Sequence, residues 1–268
     1  MRVVAHLSDL HFGAADSHIA SALVSHLGEL APDVVAVSGD LTQRARRHQF
    51  RAAGAYLAQL PSPRIVVPGN HDIPLYNVLA RFAYPRAAFF RHISRDRHPY
   101  YEDEEIAVMG ADTTRSFTIK DGGLRPRDVQ HLVSQLTAAG SERVRIVVCH
   151  HPFDAPRGRI GQLTWPRPDT RAVAQLVSKG TDVFLTGHLH TSYTGRTAIR
   201  YRANGRAAIV VEAGTATSTR VRNEPNAFNV LHVERARIVV ERLVWQATAG
   251  LFAIAETQTF VRMPDGWV

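Results

Sequence analysis

A chain of 268 residues and 29.7 kDa can bury a sizeable core, as one large domain or two small ones. With 45% hydrophobic and 21% charged residues it has a globular balance, and no apolar stretch is long enough to cross a bilayer, so no membrane partner is expected. The net charge is +8, but Lys120 and Lys179 are the only lysines and the other basic residues are scattered arginines, a weak pointer to nucleic acid.

The single cysteine, Cys149, excludes an intrachain disulfide. It precedes a histidine on an apolar run and reads as a small buried apolar residue. The N-terminus runs straight into an apolar strand and leaves no room for a signal peptide, so a cytoplasmic location is expected.

In chain order, residues 2–8 read as a buried strand. A helix over 19–30 follows, capped by Asp16 or Ser17, with Ile19, Leu23, Leu27 and Leu30 at helical spacing. Residues 33–38 form a second strand ending at Gly39-Asp40. A helix over about 45–60 turns Phe50, Leu57 and Leu60 inward and carries Arg44, Arg46, Arg47 and Arg51 at its start. Those arginines read as a solvated face or as a positive rim for a phosphorylated substrate. Pro61 and Pro63 end this helix, and a third strand over 64–67 leads into Gly69-Asn70-His71-Asp72. The β-α-β-α-β order implies parallel strands with right-handed crossovers.

Residues 73–101 are less regular, with a short helix near 75–82 and a compact aromatic segment built from Tyr84, Phe89, Phe90, Tyr100 and Tyr101. Strand 105–110 and helix 126–138 follow. Strands 144–149 and 182–186 end at His150-His151-Pro152 and Gly187-His188-Leu189-His190, with a helix near 170–178 between them. The loop over 153–168 carries Arg157, Arg159 and Trp165, which suit a lid that stacks a nucleobase or an exposed segment. Beyond His190 strands follow one another: 198–203 and 206–212 flank the turn signal Asn204-Gly205, then 226–234, 238–246 and 251–261 continue antiparallel. The expected organisation is one domain over 1–268, with a motif-bearing core 1–195 and C-terminal strands 196–262 completing the second of two sheets.

The chemistry gathers at the strand ends. Asp9 and His11 stand two apart on a strand exit, and His188 and His190 repeat the spacing. Asp40 has two oxygens that can bridge two cations, Asn70 offers a carbonyl oxygen, and His150 adds a nitrogen. Seven such donors, with one bridging, supply four positions on each of two ions. The mixed N/O set without thiolate suits Mn, Fe or Zn, and the histidines argue against calcium. Two such ions clamp the attacking and leaving oxygens of a displacement at phosphorus and supply a bridging hydroxide as nucleophile. His71 is left for chemistry, stabilising the phosphorane or protonating the leaving oxygen, and Asp72 is placed to orient it. Any one histidine alone is more often a surface or core residue; their joint order is what carries the reading. His6, His18, His26, His48, His92, His98, His131 and His232 lack that support. His151 reads as a neighbour that supports the site.

The motifs Asp9-x-His11, Gly39-Asp40, Gly69-Asn70-His71-Asp72, His150-His151-Pro152 and Gly187-His188-x-His190 resemble the complete series of the calcineurin-like metallophosphoesterase superfamily. Gly39-Asp40-Leu41-Thr42 and Asn70-His71-Asp72-Ile73-Pro74 are most similar to its bacterial class III cyclic-nucleotide phosphodiesterase branch. The resemblance implies a four-layer α/β/β/α sandwich of two mixed sheets flanked by helices. It also implies that Asp9, His11, Asp40 and His190 hold one metal, that Asp40, Asn70, His150 and His188 hold the other, and that His71 is the catalytic histidine.

The expected function is binuclear-metal phosphoester hydrolysis, with cyclic nucleotides or other small phosphodiesters as the leading substrate. A DNA or RNA nuclease is the alternative, with a phosphomonoesterase or protein phosphatase, or a non-catalytic interaction module, behind it. Against the nuclease, 268 residues are expected to leave no space for an added DNA-capping domain, and aromatics are not interleaved with a basic stripe. Thr42, Gln43 and Arg44 are candidates to touch a phosphate or base, although Thr42 equally suits a helix cap. Tyr76, Asn77 and His92 are pocket candidates, and the outer face of the C-terminal strands is a candidate homodimer surface.

Overall fold

The computed structural model describes residues 1–152, 170–197, 206–220 and 224–268. The expected 153–168 lid, with Arg157, Arg159 and Trp165, lies outside the described residues, as do strand 198–203 and the Asn204-Gly205 turn.

The chain opens with β1 (Arg2–Leu7), α1 (Ser17–Leu30), β2 (Val34–Val37), α2 (Arg47–Leu57) and β3 (Arg64–Val66). β1, β2 and β3 pair in parallel in that order. Next come α3 (Val78–Ala83), α4 (Ala87–His92), β4 (Tyr100–Glu102), β5 (Ile106–Gly110), α5 (Pro126–Ala139), β6 (Val144–Val148), α6 (Thr170–Ser178) and β7 (Val183–Thr186). β5, β6 and β7 form a second parallel set, with β4 antiparallel on its edge. β8 (Tyr193–Arg196) and β9 (Ile209–Glu212) complete this sheet, β9 parallel to β7 and β8 antiparallel to β9.

The remaining strands are β10 (Ala227–Val233), β11 (Arg237–Gln246), β12 (Leu251–Met263) and β13 (Gly266–Trp267). They form an antiparallel series, as expected; of the expected C-terminal strands, 206–212 joins the second sheet as β9, whereas β10 to β13 do not. β10 pairs antiparallel with β1, so the series extends the first sheet from its N-terminal strand outward. The alternation of β10 matches that of β1 in this register. Leu231 and Val233 face the space between the sheets and Phe228 and Val230 face the α1 side, matching Val4 and Ala5 of the neighbouring β1.

The same alternation sets the layers. In β2, Val34 and Ala36 point between the sheets while Val35 and Val37 point to α1 and α2. In β5 and β6, Val108 and Ile146 face the inter-sheet space while Met109 and Val147 face α5 and α6. Strands with both faces apolar must be covered twice, which yields two mixed sheets back to back with helices outside. Each fully buried leucine or valine in these layers contributes about 1.5–3 kcal/mol relative to exposure.

Local chemistry fixes the helix ends. Asp16 caps α1, its carboxylate accepting from His18 N and Ile19 N. α2 begins later than the pattern suggests because Ala45 has φ 52°, a left-handed value that a helix cannot include. Gln49 Oε1 accepts from Arg44 N and Arg46 N and closes that entry. In the irregular segment Asn77 caps α3. Of the expected aromatic segment, Phe89 is buried against Phe90, while Phe90, Tyr100 and Tyr101 are half-buried and Tyr84 is exposed. Among the described residues, no helix is long and apolar enough to cross a membrane.

Candidate metal centre

Asp9 follows β1, Asp40 follows β2, Asn70 follows β3, His150 follows β6 and His188 follows β7. The C-terminal ends of both parallel sets therefore converge on one crevice, the usual ligand position of open α/β sheets. The backbone there is held in unusual conformations. Asp9, His11, Asp40, His188 and His190 have φ of 54°, 48°, 52°, 75° and 56°. Non-glycine residues pay about 1–2 kcal/mol each for that left-handed region, and such positions cluster where function requires them.

Two groups of donors result. Asp9, His11, Asp40 and His190, all buried, bring one ligand atom each to within 4.8 Å of one another, and so do buried His150 and His151 with half-buried His188. Within the first group, Asp9 Oδ1 lies 3.4 Å from His11 Nε2 and 3.3 Å from His190 Nε2, and those two nitrogens are 3.2 Å apart. Asp40 stands between the groups. Its Oδ2 is 3.7 Å from His11 Nε2, and its Oδ1 is 3.4 Å from His150 Nε2. His150 Nε2 in turn lies 3.1 Å from Asn70 Oδ1 and 3.2 Å from His188 Nδ1.

The donor set fits a pair of cations by its own chemistry. His150 Nδ1 is 2.8 Å from the Ser38 carbonyl and His190 Nδ1 is 3.2 Å from the Arg220 carbonyl. A carbonyl can only accept, so each Nδ1 carries a proton and each Nε2 faces the crevice. Against its burial, Asp40 and then Asp9 push His150 up to about 9, so its Nε2 also holds a proton unless a cation takes that place. Nitrogens and oxygens facing each other at these distances repel unless a proton or a cation lies between them. Asp9 Oδ1 and His11 Nδ1, both buried, have no hydrogen-bond partner among the described residues. An acceptor with no donor inside a protein is the mark of a bound cation or water.

The electrostatics point the same way. Burial alone would raise the Asp9 carboxyl, but His190, His11 and His150 outweigh it and hold the group below the carboxylate range. Burial works against Asp40 likewise, and His150 and His11 hold it well below. Burial lowers His188 to about 3, keeping it neutral and able to ligate.

His71 stands outside both donor groups. Its amide donates to Asp40 Oδ1 (2.8 Å), and its ring meets His11 edge-on at 4.9 Å between centroids. Its Nδ1 is 2.9 Å from the Gln43 carbonyl, and that contact, not Asp72, orients the ring. The expectation that Asp72 fixes His71 is therefore corrected. The Asp72 carboxylate points the other way and accepts from Leu41 N (3.1 Å), Thr42 N (2.9 Å), Thr42 Oγ1 (2.9 Å) and Gly69 N (2.9 Å). It ties the Asp40 tip to the Asn70 tip. Burial, then the charge of Asp40, holds this carboxyl above its ordinary range.

Other expected residues take structural places. Thr42 Oγ1 accepts from Ala45 N and does not cap α2, whose N-cap is Arg46. Arg44 lies over the Tyr76 ring at 6.0 Å, and His92 stacks on Phe50. His151 is buried beside His188, with Nδ1 2.8 Å from Thr113 Oγ1. Cys149 is buried, which pushes its thiol up. The supports that sequence reading missed are Ser8, whose Oγ donates to Asp9 Oδ2 (2.7 Å), and Thr215, whose Oγ1 donates to the Asp9 carbonyl (2.7 Å). The carbonyls of Ser38, Gln43 and Arg220 were missed as well, because a backbone oxygen leaves no trace in residue identity.

Comparison with known proteins agrees with this geometry. A family model described as calcineurin-like phosphoesterase matches residues 2–192. The chain is 24% identical over 276 residues to the probable cyclic nucleotide phosphodiesterase RPA0124 of Rhodopseudomonas palustris, covering 96% of this chain and 97% of that protein. It is 30% identical over 171 residues to the glycerophosphodiester phosphodiesterase GpdQ of Enterobacter lignolyticus, covering 56% of each. The solved structure of PhoD superposes with a TM-score of 0.72 at 14% identity, over 100% of this chain and 71% of that one, and shows the shared fold.

Proposed function

The chain belongs to the calcineurin-like phosphoesterase family and is a phosphoric ester hydrolase, and from that premise we propose that it is a phosphodiesterase for cyclic nucleotides or other small phosphodiesters. The observation that carries the reading is Asp40, whose two oxygens face His11 on one side and His150 on the other. Asp9, His11, Asp40 and His190 would hold one cation, and Asp40, Asn70, His150 and His188 a second, with Mn, Fe or Zn suited to the set. When bound, such a pair supplies Lewis-acid charge at phosphorus and makes water nucleophilic near neutral pH.

The chain's own residues supply the rest. The Gln43 carbonyl holds the Nδ1 proton of His71, so its Nε2 is the position that exchanges a proton with substrate. Burial lowers the ring's pKa first of all, and an anionic diester beside it favours the charged form. His71 then delivers the Nε2 proton to the leaving oxygen. The Asp72 cross-link keeps the Asp40 and Asn70 tips in register for that transfer. The similarity to RPA0124 favours a cyclic nucleotide, and the similarity to GpdQ favours a glycerophosphodiester.

The test compares bis(p-nitrophenyl) phosphate with p-nitrophenyl phosphate, then cyclic AMP with glycerophosphodiesters, on protein supplied with Mn²⁺. The diester is expected to lead, and His71→Ala is expected to lower its turnover by about 10²–10⁴-fold. Faster monoester hydrolysis, or an unaffected His71→Ala enzyme, would overturn the proposal.

A further inference from the structure

A cavity of about 650 Å³ opens between Val66–Pro68, at the end of β3, and the start of α5, roofed by the α3–α4 segment. None of the metal-centre donors lines it. Its size falls within the 300–1,000 Å³ of small-molecule sites. The floor is apolar, with Val66 and Phe89 buried, and Phe90 and Tyr84 add ring faces. Arg97 lies over Phe90 at 5.0 Å, and the rings of His98 and His131 stand 4.1 Å apart.

The charges are not matched. Asp112 pairs with Arg86 through a salt bridge and Asp128 with Arg127 at 3.7 Å, while Asp96 accepts a backbone bond from His98 N, so four arginines face three carboxylates in the lining. Arg125 makes no hydrogen bond or ion pair with a side chain among the described carboxylates, although it is partly buried. Burial and then the neighbouring charge of Arg86 lower its pKa, and Asp112 and Asp128 offset them only in part. The positive end of the α5 dipole, with Arg125 at its N-cap, faces the same space.

We propose that this cavity binds a small anion carrying a flat ring, of the nucleoside monophosphate class, with Arg125 on the anion and the aromatic walls on the ring. Guanidinium is the preferred partner of phosphate, and ring faces bind any base without reading its edges. Occupancy reaches the metal centre through the chain itself. Val67 and Pro68 run directly into Gly69-Asn70-His71, and Asp112 is one residue from Thr113, which holds His151. The site is a second binding position beside the hydrolytic one, and its existence does not depend on which diester is hydrolysed.

The test is AMP titrated into the full-length protein by calorimetry, with Mn²⁺ and again with EDTA, alongside hydrogen exchange of the wild type. The expected result is a binding event that survives chelation, weakens at least about tenfold in Arg125→Glu, and slows exchange over 84–99 and 125–131. Inorganic phosphate is expected to bind more weakly than AMP. Loss of all binding on chelation, protection confined to 9–11 and 69–72, phosphate binding as tightly as AMP, or unchanged affinity in Arg125→Glu would each overturn the proposal. If that variant fails to fold, the wild-type exchange map decides.

Discussion

Replacing Asp72 by alanine gives the sharpest check on the cross-link between the Asp40 and Asn70 tips. The carboxylate is buried and accepts from three backbone amides, Leu41 N, Thr42 N and Gly69 N, as well as from Thr42 Oγ1. An unsatisfied buried donor costs about 1–3 kcal/mol. The three amides would together cost several kcal/mol if nothing replaced the oxygens. Two effects reduce the sum: water can enter the space left by the side chain, and the carboxylate's burial beside Asp40 is relieved. We expect a net loss of about 2–5 kcal/mol, measured by urea unfolding in EDTA so that metal binding does not contribute. Asp72→Asn keeps one acceptor but turns an NH2 toward donors, and should fall between wild type and alanine. A loss below about 1 kcal/mol in Asp72→Ala, at unchanged m-value, would show that the amides are not held by this group and refute the reasoning.

A Cβ at Gly69 would stand 2.1 Å from Asp40 Oδ1 and 2.3 Å from Asp40 N, so Gly69→Ala must displace Asp40; a turnover loss near 10²-fold with weakened Mn²⁺ binding is expected by calorimetry. His6 is buried against Ser38, and burial lowers its pKa from 6.5 to about 3. The unfolded chain therefore takes up a proton near pH 6.5 that the native state refuses. Stability from this group is complete above that pH and falls on acidification toward 3, by up to about 1.4 kcal/mol per pH unit. Urea unfolding of His6→Gln across that range should show a shallower acid arm than wild type, and identical slopes would sink the assignment. Adding Mn²⁺ at a hundredfold excess over Kd should raise unfolding free energy by about 2.7 kcal/mol for each cation bound. His71→Ala should keep both increments and His188→Ala should lose that of the second cation.

The strand tips were legible because residue types there conflict with their surroundings. An apolar run that ends in Gly39-Asp40 or Gly187-His188 has no packing reason to stop on a charge or an imidazole. The layering was legible too, since β2 and β6 are apolar on both faces. The partner of the C-terminal strands was not. Alternation in β10 states that it has two faces, but not which sheet edge it joins, and that edge is supplied by a strand more than two hundred residues away. Asp72 was misplaced for a related reason. Adjacency to His71 suggests a pair, yet the 3-10 turn over Asn70–Asp72 sends the two side chains apart. Ala45 gave no warning of its left-handed φ, because a small residue with no turn signature can be forced there by the Thr42 contact.

The pairing of β1 with β10 also bears on how the molecule comes together. Arg2 sits opposite Val233, so the strand that leads to Asp9 and His11 is flanked by β2, made early, and β10, made late. During synthesis the first sheet has an open apolar edge at β1 until β10 emerges. Contacts between such distant residues form slowly, and an unpaired edge invites association with other chains in the meantime. Folding during translation should therefore reach a partly ordered species with β1 exposed, and the two donors it presents fall into place only when β10 docks.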